Sequence, residues 1–292
     1  MTGPTRDHPR LIEIQKKGTV FVATDALVVI GAGAIGQAIA RRTGVGKQIL
    51  LADINADSLA SAADLMETSG YHVRTQPVDV SSRESVRALA AAAADLGPVT
   101  GVVHTAGLSP AQAPVEAILR VDLVGVALVL EEFGRAIASG GSGVVISSMA
   151  GHMIPALTPD EDAALARTPA EELIQLGLLQ GLPNSGAAYA ISKRANALRV
   201  QAAAVEWGDR GARINSISPG IIFTPLAMDE LNSPVGPRYR EMMEVSAAGR
   251  GGTPDEIGAA AAYLMGPDGA FITGSDLLID GGVIAAMRAR RL

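Results

Sequence analysis

The chain has 292 residues, 48% of them hydrophobic but only 3% aromatic, with a net charge of −6. That supplies enough Ala, Val, Ile and Leu to bury a sheet on both faces. The acidic balance and the lack of a long basic run exclude nucleic acid as the main partner, and the absence of cysteine removes disulfides, thiolate metal sites and cysteine nucleophiles.

In chain order, residues 1–24 read as an extension ahead of the first core strand, with 19–23 either an added strand or loose. Pro4, Asp7 and Pro9 interrupt the start, which lacks the apolar segment of a signal peptide. No apolar run reaches the roughly eighteen residues of a membrane span, so a cytoplasmic protein with no membrane partner is expected. Short β-like runs then alternate with helical stretches: 26–30 before a helix through Arg42, then 49–53, 99–104, 143–147, 213–218 and 277–279. This alternation predicts an α/β fold, a doubly wound parallel sheet with helices on both faces and right-handed crossovers, in one domain over 25–292.

Four helix starts show a hydroxyl three residues before a glutamate: Ser81…Glu84, Thr158…Glu161, Thr168…Glu171 and Thr253…Glu256. In the last three, proline follows the hydroxyl, where a missing N–H costs nothing. Two of these caps fall at about 152–184, which therefore reads as a helical insert. The insert is expected to cover the pocket mouth or cap a subunit interface.

Gly31-Ala-Gly33-Ala-Ile-Gly36 follows a strand-like run and opens a helix. The first glycine permits a tight turn, the second lets a pyrophosphate approach the backbone, and the third lets helix and strand pack. The helix N-terminus then faces the phosphate charge. Asp53 lies 17 positions beyond Gly36 at a strand end. A carboxylate there accepts from the ribose hydroxyls of NAD and repels the extra phosphate of NADP. Tyr189 and Lys193 are four apart, hence on one helical face, where an ammonium favours the phenolate. His8, His72, His104 and His152 are scattered without metal-ligand spacing, so no catalytic metal is expected.

From Ala26 to Gly282 the chain resembles the short-chain dehydrogenase/reductase family, with a Rossmann-like fold. The resemblance rests on Asp79-Val80, Thr105-Ala106-Gly107, Ser147-Ser148, Tyr189…Lys193, Arg213-Ile-Asn215, Ser218-Pro219-Gly220-Ile-Ile222-Phe-Thr224 and Asp280-Gly-Gly282. The second half is similar to bacterial 3α-hydroxysteroid dehydrogenase/carbonyl reductases. The resemblance implies that Ser148 holds the substrate oxygen, with Ser147 its rival, that Tyr189 passes the proton, and that Lys193 binds nicotinamide ribose and tunes Tyr189. It further implies adenine contacts from Asp79 and Val80, and a ribose and nicotinamide floor from Thr105, Ala106 and Gly107. The carboxamide would fall to Ile222 and Thr224; Ile35, Ile54, Pro219 and Gly220 complete the cofactor set. Two features depart from the family pattern. The glycine spacing is that of a general dinucleotide fingerprint, and Val121-Asp122-Leu123 puts Asp122 where a catalytic asparagine is usual. Asp122 either holds a relay water or simply bonds nearby backbone.

The expected function is hydride transfer between NAD(H) and a small, hydrophobic alcohol or ketone, in a homodimer or homotetramer. A catalytically silent nucleotide-sensing module of the same fold is the alternative. A sugar-nucleotide epimerase or dehydratase is disfavoured, because those usually add a larger C-terminal domain.

Overall fold

The computed structural model describes residues 25–292; the extension at 1–24, with the possible strand at 19–23, lies outside the described residues. Seven strands form one parallel sheet: β1 (Ala26–Ile30), β2 (Gln48–Asp53), β3 (His72–Pro77), β4 (Val99–His104), β5 (Ile137–Ile146), β6 (Arg213–Pro219) and β7 (Asp276–Ile279). Their order is β3-β2-β1-β4-β5-β6-β7. The chain reverses its direction of winding between β1 and β4, which opens a crevice at the carboxyl ends of those strands. β1 is buried along its whole length, as a continuous Ala-Leu-Val-Val-Ile run at the centre of a two-faced sheet should be. The sheet is thus the doubly wound, Rossmann-like one that the sequence predicts.

The helices are α1 (Ala34–Thr43), α2 (Ala56–Thr68), α3 (Arg83–Leu96), α4 (Val115–Ile118), α5 (Val126–Ala136), α6 (Pro159–Arg167), α7 (Ser185–Asp209), α8 (Pro225–Leu231), α9 (Gly236–Val245), α10 (Pro254–Met265) and α11 (Val283–Arg288). Two large apolar clusters flank the sheet, and a smaller one joins Met149, Ile221 and Met242 to α11. One of the large clusters, around Leu89, Leu123, Phe133 and Trp207, joins the sheet to α3, α5 and α7. The other, around Leu27, Ile39, Leu59 and Ile257, joins it to α1, α2 and α10. A π-helical turn, Leu119–Gly125, bridges α4 and α5 and carries Asp122. Such turns are costly and often mark functional positions.

The caps at Thr158 and Thr253 form complete capping boxes. The other two differ from expectation. α3 starts one residue later, because the Ser81 hydroxyl bonds Asp79 and Ser82 takes the cap. Thr168 ends α6 rather than starting a helix, and the following residues form 3-10 turns, Ala170–Gln175 and Gly177–Leu179. Glu171 pairs with Arg83 and so is unavailable to close a box on Thr168.

The middle of the insert packs into the core, while its ends, Met153, Ile154 and Asn184, border the large cavity beside α7. Leu165, Ala170, Leu173 and Leu179 are buried in the main core. α6 packs on α7, where Arg199 donates to the carbonyls of Leu165 and Thr168 at 3.1 and 2.8 Å. Those leucines needed an apolar partner: α7 provides it for α6, and the π-helical turn Leu119–Gly125 packs against the turn that carries Leu173.

Candidate active site

The glycine loop shows three separate steric demands. Gly31 has φ +106°, and a Cβ there would lie 2.3 Å from Thr105 Oγ1. A Cβ on Gly36 would lie 2.2 Å from the Gly31 carbonyl oxygen. At Gly33, the N-cap of α1, a Cβ would meet nothing within 4 Å. The loop is therefore closed against the protein at its ends and open at its middle, which fits a ligand that approaches the backbone there. Thr105 fixes the closed side, donating from its hydroxyl to the carbonyls of Ile30 and Gly31 at 3.2 and 3.1 Å.

Asp53 ends β2 beside this loop. Its Oδ2 accepts from the Ala32 N–H at 2.7 Å and its Oδ1 from the Asn55 N–H at 2.9 Å. Ile54 next to it is exposed. Asp79 is exposed and ties down Ser81, whereas the Val80 side chain is buried in the core, so only its backbone is left for a ligand. These residues and the glycines form the β1–β2 side of the crevice.

On the β4–β6 side lies a cavity of about 930 Å³. Ile35, Thr105, Gly107, Pro219, Gly220, Ile222 and Thr224 line it together with Asp122, Ser148, Tyr189 and Lys193. Ala106 is placed by its N–H, which donates to the Ile30 carbonyl at 3.0 Å. Thr224 caps α8, its hydroxyl oxygen accepting from the Ala227 N–H at 3.1 Å and keeping its proton to donate.

The two serines separate cleanly. The Ser147 hydroxyl is buried and donates to the Lys193 carbonyl at 2.7 Å. Ser148 caps the short turn Met149–His152 by accepting from the Ala150 N–H at 3.2 Å, and its hydroxyl is near enough to the Tyr189 phenol to pull that group down. His152 turns away toward β7, with Nε2 2.8 Å from Asp276. His104 is buried in the sheet, and that burial, aided by the nearby Lys193 charge, holds it down to about 3. It is neutral at physiological pH, and the Tyr189 phenol, not this imidazole, lines the cavity.

Tyr189 and Lys193 stand in the first turns of α7, whose N-cap is Asn184. Lys193 Nζ lies 5.2 Å from the Tyr189 ring centroid and 3.1 Å from Asp122 Oδ1. Asp122 also accepts from the Leu108 N–H, at 3.1 and 3.2 Å to its two oxygens. Gly107 makes room for the pair: a Cβ there would lie 2.5 Å from Asp122 Oδ1. Asp122 is therefore a direct counter-ion, and the electrostatics differ from the simple Tyr–Lys expectation. Burial raises the Tyr189 phenol; Lys193 pulls it down, but Asp122 pushes it up again. Burial lowers Lys193, yet Asp122 and Tyr189 outweigh burial and hold its ammonium above the usual range.

Sequence reading missed Ser109, Glu230 and Tyr239, which line the same cavity. Glu230 sits on a short, largely exposed helix and reads in sequence as one more solvated carboxylate.

A doubly wound sheet with an open glycine loop and a serine, tyrosine and lysine at the switch point defines a dinucleotide-binding α/β protein. Residues 25–159 match the short chain dehydrogenase family model, and residues 172–284 match the model described as Enoyl-(Acyl carrier protein) reductase. The chain is 41% identical over 266 residues to short-chain dehydrogenase/reductase bsc3 of Alternaria brassicicola, covering 90% of this chain and 97% of that one. It is 33% identical over 267 residues to D-threitol dehydrogenase of Mycolicibacterium smegmatis, covering 88% and 91% of the two chains. The 3-alpha-hydroxysteroid dehydrogenase from Pseudomonas sp. B-0831, solved in complex with NADH, superposes with a TM-score of 0.73 at 27% identity over 91% of this chain and 99% of that one. The chain belongs to the short-chain dehydrogenase/reductase family and is an oxidoreductase. Among the described residues no helix is long and apolar enough to cross a membrane.

Proposed function

We propose that the protein interconverts a secondary alcohol and its ketone with NAD(H) as the hydride carrier, acting on a small, mainly hydrophobic molecule. The observation that carries this reading is the convergence of Ser148, Tyr189 and Lys193 on one cavity beside an open Gly33. A bound nicotinamide ring would supply the hydride exchange. Gly31, Gly33, Gly36 and Asp53 hold its dinucleotide, with Ile54, Asp79 and Val80 toward the adenine. Thr105, Ala106, Gly107, Pro219, Gly220, Ile222 and Thr224 set the position of the ring. Ser148 donates to the substrate oxygen. Tyr189 gives that oxygen a proton in reduction and removes it in oxidation. Lys193 orients the ribose and, with Asp122, sets how acidic the phenol is.

Names among the relatives agree with the reaction class: D-threitol dehydrogenase and 3-alpha-hydroxysteroid dehydrogenase are both named as dehydrogenases of hydroxyl-bearing molecules. The apolar lining of Met149, Met153, Ile154, Ile221 and Leu226 supports a hydrophobic substrate. NAD is the preferred cofactor, because a carboxylate at the end of β2 repels a ribose phosphate. Exposed Phe271, Tyr263, Leu277 and Val205 support a homodimer or homotetramer, and the lack of cysteine supports a cytoplasmic address.

The test is a cofactor-reduction screen with hydrophobic secondary alcohols, steroids included, beside dissociation constants for NADH and NADPH. Turnover with some alcohol and tighter binding of NADH are expected. Tighter binding of NADPH would reduce Asp53 to a strand-end cap, and firm cofactor binding without any turnover would select the silent nucleotide-sensing module.

A further inference from the structure

Glu230, on α8, lines the reaction cavity with Tyr189 and Tyr239, yet the hydride chemistry gives it no task. One of its oxygens accepts the hydroxyl proton of Ser109, which is 2% exposed. The direction of that bond is fixed. An ionised Glu230 can only accept, so the single proton of Ser109 Oγ, which itself accepts the Ala111 N–H at 3.1 Å, points at the carboxylate. The second carboxylate oxygen has no protein donor and no cationic partner among the described residues. Burial raises the Glu230 carboxyl, opposed by the Ser109 bond. Its charge in turn adds to the burial that lifts Tyr189 and that pushes Tyr239 up to about 12. The carboxylate is therefore within electrostatic reach of the reacting phenol.

A half-buried carboxylate with one oxygen pinned and the other open, in a wall that is otherwise largely apolar, is built to receive a hydrogen-bond donor. We propose that Glu230 receives a second hydroxyl of the substrate, so that the enzyme selects diols and hydroxyketones over alcohols with a single oxygen function. The inference rests on the alcohol–ketone reading above and narrows its substrate class. A neutral hydroxyl is favoured over an ammonium, because Arg238 lines the same cavity and the Lys193 ammonium sits beside the phenol. A substrate lacking the donor expels water from Glu230 and returns nothing, and this unpaired polar group is the source of discrimination.

Cyclohexanol, the cyclohexanediols and 4-aminocyclohexanol are suitable probes. They are compared by kcat/KM for oxidation and by calorimetric binding to the NAD-saturated enzyme, in wild type, Glu230→Leu and Glu230→Gln. The wild type is expected to favour the best diol over cyclohexanol by about tenfold or more. That ratio falls to near unity in Glu230→Leu. Glu230→Gln keeps the shape and one acceptor, so there the ratio falls only several-fold; this variant decides the matter if the leucine variant does not fold. A wild-type preference for cyclohexanol overturns the proposal, as does a ratio equal in all three proteins. A larger preference for the amino alcohol than for any diol overturns the hydroxyl assignment in favour of a cation. Should no alcohol be oxidised, the functional reading fails, and calorimetry still decides the site. Diols that bind wild type more tightly than cyclohexanol, with the difference lost in Glu230→Leu, support it; equal or absent binding overturns it.

Discussion

Replacing Asp122 with asparagine should destabilise the fold near neutral pH and do so less as pH rises toward about 10. The substitution keeps the shape and an oxygen that can accept from Leu108, but removes the carboxylate 3.1 Å from Lys193 Nζ. At an effective dielectric near 20, the attraction lost is on the order of 5 kcal/mol. Two effects reduce the net cost. Lys193 can shed its proton, which caps the penalty at pH 7 at about 4–5 kcal/mol for a side chain with an ordinary pKa near 10.4. Asparagine also avoids the burial that raises the Asp122 carboxyl. A loss of about 2–4 kcal/mol remains, in the range for a buried ion pair left with one partner.

The pH dependence distinguishes this account from a packing defect. In the wild type the folded-state pKa of Lys193 is raised, so its contribution is complete below the unfolded value of about 10.4 and is lost only as pH climbs through the folded value. In Asp122→Asn, burial acts with no counter-ion, and folded Lys193 titrates below the unfolded value. The unfolded variant then binds more protons than the folded one, so the variant gains stability as pH rises toward about 10. Urea unfolding of both proteins from about pH 5 to 10 reads the gap directly. A difference within about 0.5 kcal/mol at pH 7, typical of a surface change, or one equal at pH 7 and 10, would refute the reasoning. The same variant removes a charge that raises Tyr189, so the acidic limb of its pH–rate profile for oxidation, where Tyr189 must lose its proton, should move to lower pH.

Tyr189→Phe should lower turnover by about 10²–10⁴ while NADH binding, followed by fluorescence, is retained, since the ring is kept and only the proton is removed. Gly33→Ala should fold with stability within about 1 kcal/mol of wild type but weaken NADH binding at least tenfold, because its methyl fills open space where the ligand approaches. Gly36→Ala should do the reverse first, losing melting temperature because its Cβ would lie 2.2 Å from the Gly31 carbonyl oxygen. Leu173→Ala should cost about 2–5 kcal/mol in urea unfolding with the ratio of KM for large and small alcohols unchanged, since Leu173 is fully buried in the main core and does not itself line the cavity.

What could be read from the chain, and what could not, divides along physical lines. β1 was legible because its side chains are buried on both faces, and a run of five apolar residues leaves little else to be. β3, His72–Pro77, went unread: it is an edge strand with mostly exposed side chains, and His-Val-Arg-Thr-Gln-Pro carries no continuous apolar signal. Local chemistry was legible wherever one hydrogen bond decides it, as at the Thr158 and Thr253 caps. It misled where a distant residue competes, as Arg83 does for Glu171. The same distinction governs the site. Tyr189 and Lys193 share a helix, so their spacing fixes their proximity. Asp122 and Lys193 are 71 positions apart, and only the crossing of the π-helical turn with α7 turns a departure from the family pattern into an ion pair. Glu230 lies further still from the sequence signal, because its meaning depends on Ser109, 121 positions away. A carboxylate's role is set by the partners its environment supplies or withholds, and those partners are contributed by the fold.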